Sequence, residues 1–255
     1  MTLHKKIFTF ILLLCYFGSY AQNNVLFNRA TEAYNSGDYE KAISYYQNII
    51  ENGQHSASLY FNLGNAYYKL DEIGPSIYYY EKALLLKPND TETRNNLGYA
   101  QNMRLDAIEE MPKTALAKTY ANTINLFSFD QWAYFAIALS ILFVLAYLLY
   151  FFARSASQKR MAFISSILVL MLGIFAVCFA YLQYENHKKN NPAIIFASEV
   201  SVNSEPNERS EKIFTLHEGT KVNVLENLEN WKKIKIADGQ TGWLSSENLK
   251  LLKDF

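Results

Sequence analysis

Two apolar runs constrain this chain more than any other feature. Trp132 to Phe152 and Met161 to Tyr184 carry no Asp, Glu, Lys, Arg or His over 21 and 24 positions. Coiled as helices, each spans about 30 Å or more, the thickness of the hydrocarbon layer of a bilayer. Two such neighbours buried as core helices would swamp a chain of 255 residues. They therefore read as a transmembrane hairpin, 132–152 and 161–184, with a loop over 153–160. That loop holds Arg154, Lys159 and Arg160 and no acid. Short basic loops stay in the cytoplasm. Trp132, Tyr181 and Tyr184 then fall at the outer interface, and Tyr147 and Tyr150 at the inner one, as aromatic belts do. Neither span carries the charged groups of a proton or ion path.

The N-terminus agrees with this orientation. His4, Lys5 and Lys6 precede the apolar stretch Ile7 to Phe17, and Ser19 and Ala21 place small residues at −3 and −1 of a cut before Gln22. This is the pattern of a secretory signal peptide over 1–21. An uncleaved anchor stays open. A lipoprotein cut at Cys15 fits less well, because Leu14 stands where a small residue is wanted. Residues 22–131 and 185–255 then both lie outside the membrane.

Lys and Arg total 24 against 24 Asp and Glu. A balanced charge excludes a broad nucleic-acid footprint. Cys15 and Cys178, the two cysteines, both sit in apolar runs, which excludes a disulfide framework or a cysteine-based metal site. His4, His55, His187 and His217 lack metal-ligand spacing. No glycine-rich phosphate loop, nucleophile elbow or Cys-His pair occurs. Acid pairs such as Asp71-Glu72 and Glu109-Glu110 read as solvated charge. The expectation is a non-enzyme without metal or cofactor.

An internal repeat runs at a spacing of 34 residues: Leu63-Gly64 recurs as Leu97-Gly98, Asn62 as Asn96, Tyr46 as Tyr80, and Ala42 as Ser76, with Ala30 opposite Gly64. That period is typical of helix-turn-helix repeats. Tyr60, Leu63, Gly64, Tyr67, Tyr80, Ala83 and Pro88 occupy marked positions of one family. On these residues the segment 22–110 resembles a tetratricopeptide repeat (TPR) protein. Small Gly64 would admit the second helix, Tyr80 and Ala83 would fill the space between helices, and Pro88 would end the repeat. The first repeat departs from the pattern at Arg29, and Gly53 closes it instead of a proline. From Thr91 the third unit reads as one capping helix or half a repeat. So short a stack, about two and a half repeats, is expected to lean on the membrane or on a partner.

The resemblance implies a concave groove lined by the first helix of each repeat. By position it would show Phe27, Thr31 and Tyr34, then Phe61, Asn65, Tyr68 and Lys69, then Asn95, Tyr99 and Asn102. Rings and amides suit an extended peptide or a partner helix. A basic cluster that would clamp a C-terminal carboxylate is missing. The alternative for any of these aromatics is packing inside the stack.

Over 111–131, Leu116, Tyr120, Ile124 and Phe127 fall on one helical face, so this segment is an amphipathic surface helix or a plain linker. After a polar spacer over 185–193 the apolar period shortens to two, as in Lys221 to Leu225 and Trp231 to Ile236, with turns at Glu205-Pro206-Asn207, His217-Glu218-Gly219 and Asp238-Gly239. Short strands at this spacing form a small barrel. Val200 to Pro206, Leu216 to Gly219, Trp231 to Ile234 and Asp238 to Leu244, with its Gly239-Gln240-Thr241-Gly242-Trp243 ending, resemble a bacterial SH3 (SH3b) domain over 194–253. Asn203 and Glu205 replace the usual Arg and Gly, which weakens a ligand role for that turn. Trp231 and Trp243 are ligand platforms or core, with at least one expected in the core.

The expected fold class is thus a multidomain membrane protein: all-α TPR repeats, a transmembrane helical hairpin and an all-β SH3-like barrel. That order of segments resembles the BatE-type proteins of Bacteroides aerotolerance (Bat) operons. The resemblance implies a scaffold in the inner (cytoplasmic) membrane, with both soluble regions facing the periplasm. Its partners would be Bat-type membrane proteins carrying von Willebrand factor A domains, together with a MoxR-type ATPase. The alternative is a cell-wall sensor that binds peptidoglycan through the SH3b domain. Activity as a hydrolase subunit or activator is a third possibility, carried only by the association of SH3b domains with wall enzymes.

Overall fold

The computed structural model describes residues 23–109, 111–112 and 114–254. The expected signal peptide lies outside them. The chain forms two compact units. One joins the segment up to residue 110 with the segment from 191 onward, and the other is 111–190.

The first unit begins with five helices. They are α1 over 23–35, α2 (Tyr39–Glu51), α3 (Ala57–Lys69), α4 (Ile73–Leu86) and α5 (Thr91–Asn102). Side-chain caps set their starts: Asp38 accepts from the Lys41 amide, Ser56 from Leu59 and Asp90 from Thr93, each satisfying a donor the first turn leaves free. Gly37 and Gly53 break the chain between helices at φ 85° and 75°, a region closed to most side chains.

The repeat chemistry is visible in the packing. A Cβ on Gly64 would lie 2.5 Å from the ring of Tyr80, so only glycine lets α3 and α4 come this close. Ser76 reinforces the approach by donating to the Gly64 carbonyl at 2.9 Å. Ala30 and Ala42, which stand at the same two positions one repeat earlier, are fully buried. Tyr46, Tyr60, Leu59, Leu63, Ala66 and Ala83 complete the core of the stack. At Gly98, the third occurrence of the small position, no atom lies within 4 Å of the added Cβ. Among the described residues, the stack therefore ends on a first helix with this position open.

The β segment has seven strands: β1 (Pro192–Ile195), β2 (Glu199–Asn203), β3 (Lys212–His217), β4 (Lys221–Leu228), β5 (Trp231–Lys235), β6 (Thr241–Ser245) and β7 (Leu249–Leu251). They pair antiparallel in the order β3-β2-β6-β5-β4-β1-β7, an open sheet curled roughly as a barrel. Its core is aliphatic: Ile195, Val202, Leu216, Val222, Val224, Ile234 and Leu244. The expected tryptophan core is not found. Trp231 pairs with Ser245 and Trp243 with Lys233 on the outer face of β5 and β6, while Ile234 and Leu244 point inward. Both tryptophans are only part-buried.

The short stack leans on this barrel. Ile77, Tyr78, Leu97 and Ala100 of α4 and α5 form one buried cluster with Ile194 and Leu252, and Phe196 packs on it. The support expected from a membrane or a partner comes at this face from the chain's own C-terminal domain.

The second unit holds α6 (Ala115–Ile124), α7 (Phe129–Phe152) and α8 (Ala156–Lys189). Both α7 and α8 are long and apolar enough to cross a membrane. Their mutual face is built on small residues, Ala136 and Ala176, with Leu139 and Trp132, which let helices approach without polar glue. Outward they expose apolar side chains, among them Leu149, Phe152 and Ile164, as lipid contact requires. A capping box, Ser128 with Gln131, starts α7. Trp132 donates its indole N–H to the Ile124 carbonyl at 2.9 Å and packs edge-on against Phe127 and Phe179. Segment 111–131 is thus partly helical: Ile124 is buried, while Leu116, Tyr120 and Phe127 stay exposed.

Candidate functional site: the groove of the helical stack

The first helices of the repeats, α1, α3 and α5, supply the walls of a hollow of about 260 Å³ lined by Tyr34, Asn65, Tyr68, Lys69, Tyr80, Asn96 and Tyr99. Helical spacing explains the set. Asn65, Tyr68 and Lys69 sit three and four residues apart on one face of α3, and Asn96 and Tyr99 three apart on α5.

A hydrogen-bond network organises the floor. Tyr80 donates its hydroxyl to the Asn65 Oδ1 at 2.6 Å, and Asn96 donates from Nδ2 to the same oxygen at 2.9 Å. With its oxygen committed twice, the Asn65 carboxamide offers its N–H donors to an occupant. Burial pushes the Tyr80 hydroxyl well above the ordinary phenol range, and burial likewise raises Tyr34, helped by Tyr39 and Tyr46. Both phenols stay neutral donors at any physiological pH. Lys69 is the one cation among the lining residues, and no acid lines the hollow. The surface offers flat rings, neutral donors and one positive charge.

Five of the ten residues expected from the sequence, Tyr34, Asn65, Tyr68, Lys69 and Tyr99, line this hollow. Phe27 packs edge-on against Tyr46, and Phe61 packs against Tyr80, both as part of the stack. Thr31 bonds back to the Phe27 carbonyl and reaches the Tyr46 hydroxyl. Asn95 and Asn102 are exposed beside the hollow. Asn96, one position after Asn95, takes the wall instead, a shift of 100° around the helix that a positional carry-over easily misses. Tyr80 was expected only as filler, yet its hydroxyl reaches through to the floor. A larger hollow, about 530 Å³, lies between α1 and the α2–α3 turn. Several of its polar groups are engaged: Asn23 accepts from Asn52, Ser56 caps α3, and His55 Nδ1 meets the Tyr60 hydroxyl at 2.5 Å.

On the barrel, Lys233 lies over the Trp243 ring at 5.7 Å and donates to Glu226 at 3.1 Å. Asn203 donates to the Asn207 carbonyl, which Ser210 also caps. These bonds are internal to the turn that departs from the family pattern, while the Asn203 Oδ1 is buried without a hydrogen-bond partner. Among the described residues, no three His, Cys, Asp or Glu side chains gather as a metal site would need.

Sequence models of two families match. The tetratricopeptide repeat matches at residues 24–52 and again at 57–90, and the bacterial SH3 domain at 198–250. The chain carries tetratricopeptide repeats and a bacterial SH3 domain. Both are typically interaction modules without catalytic groups of their own, and they point to protein partners. Similarity to a curated protein is confined to part of the chain. The Protein CTR9 homolog of Arabidopsis thaliana is 34% identical over 82 residues, 31% of this chain and 8% of that protein.

Proposed function

We propose that this protein is a non-enzymatic scaffold of the inner membrane whose TPR groove holds a protein partner on the periplasmic side. The observation that carries the reading is the groove itself: aromatic walls around an Asn65–Tyr80–Asn96 network whose donors are already oriented. Preorganised rings and amides bind an extended segment at low entropic cost.

The packing of barrel on stack supports the orientation. Two modules buried against each other belong on one side of a bilayer, so an even number of spans separates them, as α7 and α8 provide. The basic loop with Arg154, Lys159 and Arg160 then lies in the cytoplasm. The order of segments favours a complex with Bat-type von Willebrand factor A membrane proteins and a MoxR-type ATPase, in aerotolerance or envelope maintenance.

A cross-linked pull-down from native membranes tests the reading. Tyr68→Ala with Tyr99→Ala removes two ring anchors, one part-buried and one exposed, while sparing the network, and recovery of Bat-type proteins is expected to fall about tenfold or more. Unchanged recovery would count against the groove. The outer-face tryptophans favour a second reading, peptidoglycan binding by the SH3b domain. Sedimentation of the full chain with purified wall material, lost in Trp231→Ala with Trp243→Ala, would carry that one.

A further inference from the structure

The last helix of the stack serves two neighbours. One side of α5 gives Asn96 and Tyr99 to the groove. The adjoining face gives Leu97 and Ala100 to the cluster that also holds Ile77 and Tyr78 of α4 and Ile194 and Leu252 of the barrel. Just beyond it, Asp106 accepts three hydrogen bonds from the β3–β4 turn: the His217 amide at 2.7 Å, His217 Nδ1 at 2.7 Å and the Thr220 hydroxyl at 2.6 Å. The neighbouring α4 is shared in the same way. Tyr80 faces the groove floor. Tyr78 donates to Asp254 at 2.7 Å, Lys82 pairs with Asp254, and Glu81 pairs with Lys221 at 2.7 Å.

The helix α5 also packs on α4 and touches α3, yet it is a weak helix by itself. It has 12 residues, Thr-Glu-Thr-Arg-Asn-Asn-Leu-Gly-Tyr-Ala-Gln-Asn, rich in poor helix formers. A helix of that length and composition does not persist alone in water. In a continued repeat array the second helix of the next repeat would brace it, but nothing packs on Gly98. The barrel meets α5 on a different face, through the cluster of Leu97 and Ala100. At the contact, a Cβ on Gly219 would come within 2.9 Å of Ile77 Cδ1 and 3.3 Å of Arg104 Cγ, so the two surfaces meet closely.

We propose that the bacterial SH3 domain is a latch on the groove: docked, it holds α5 in place and keeps Asn96 and Tyr99 in the wall; released, it lets α5 fray and opens the site. Docking and groove occupancy are then linked, each strengthening the other by the same factor. A partner or wall ligand that pulls on the barrel would release cargo from the stack. This regulatory consequence rests on the groove being the binding site, whereas the coupling itself does not.

Hydrogen exchange on the whole chain in detergent micelles, with no ligand added, tests the coupling. Two variants loosen docking from opposite partners: Asp106→Ala removes the acceptor of three bonds, and Lys221→Glu sets two acids against each other without touching α5. In both, amides of residues 91–102 should exchange about tenfold faster or more, together with the β3–β4 turn, while α2, α3 and the strands around Ile234 keep wild-type rates. Wild-type exchange in α5 while residues 217–220 exchange faster would overturn the latch. Uniform acceleration from α1 to α5 would overturn it too, since the barrel would then be a general stabiliser. An α5 response alongside an unchanged pull-down for the groove variants would leave the coupling standing and remove the groove as its output.

Discussion

Gly64 and Gly98 show how little a residue's type says apart from its neighbours. Both follow leucine at the same place in the 34-residue period. Gly64 faces the buried Tyr80 ring at a distance that no Cβ tolerates, whereas Gly98 faces open space. Gly64→Ala should therefore destabilise by about 1–3 kcal/mol, because the ring is locked by its bond to Asn65 and cannot move away. Gly98→Ala should stabilise by up to about 1 kcal/mol through helix propensity alone. Denaturant melts of the two variants are expected to move in opposite directions. A shared sign would mean that α5 packs against something on its open face. The same lesson applies to Trp231 and Trp243. Their apolar area predicts a core, but strand register puts them on the face opposite Ile234 and Leu244.

At the scale of elements, helix type and length follow from hydropathy and capping. The helix α8 runs 34 residues, about 51 Å, longer than a hydrocarbon layer. Its last turn holds the basic residues His187, Lys188 and Lys189, outside the uncharged run. The hairpin reading makes a sharp prediction about direction. An activity reporter that works only outside the cytoplasm should be silent when fused within the loop at Ser157 and active when fused after Phe255. The reverse pattern would put both soluble segments in the cytoplasm and leave the groove facing a different set of partners. The stack and the barrel would still have to share a side, since Ile194 and Leu252 are fully buried against α4 and α5.

At the scale of the whole molecule, the joint between stack and barrel carries ionisable groups, so it responds to acid. Burial alone would raise the carboxyls of Asp106 and Asp254. The bonds from Thr220 and His217 to the first, and from Lys82 and Tyr78 to the second, outweigh burial and hold both below the ordinary carboxylate range. A carboxyl held lower in the folded state than in the unfolded one adds stability that is complete above the unfolded value, near 3.9. That stability is lost as pH falls through the lower folded value. Docking should therefore be insensitive to these two groups from about pH 5 to 7 and weaken below about pH 4. Asp106→Asn should flatten part of that acid limb in a melt read by tryptophan fluorescence of the barrel. An unchanged limb would mean that Asp106 does not control the joint.

The hairpin, the 34-residue repeat and the run of short strands were legible in the amino-acid sequence. Each is written in local periodicity: uncharged length for α7 and α8, the Leu-Gly spacing for α3 and α5, alternation for β4 and β5. Periodicity says which face of an element is buried, but not what buries it. It could mark Tyr68 and Asn65 as one face of α3, because a helix fixes their relation. It could not choose Asn96 over Asn95, since that depends on how α5 rolls against α4. Nor could it bring Asp106 to His217, 111 residues away, or Lys82 to Asp254, 172 residues away. Those contacts need two finished surfaces with matching shape and charge, and they exist only once both modules have folded. Sequence alone thus determined the modules and their order. Tertiary structure decided that the stack and the barrel pack together, because Ile77, Tyr78, Leu97 and Ala100 share one buried cluster with Ile194 and Leu252.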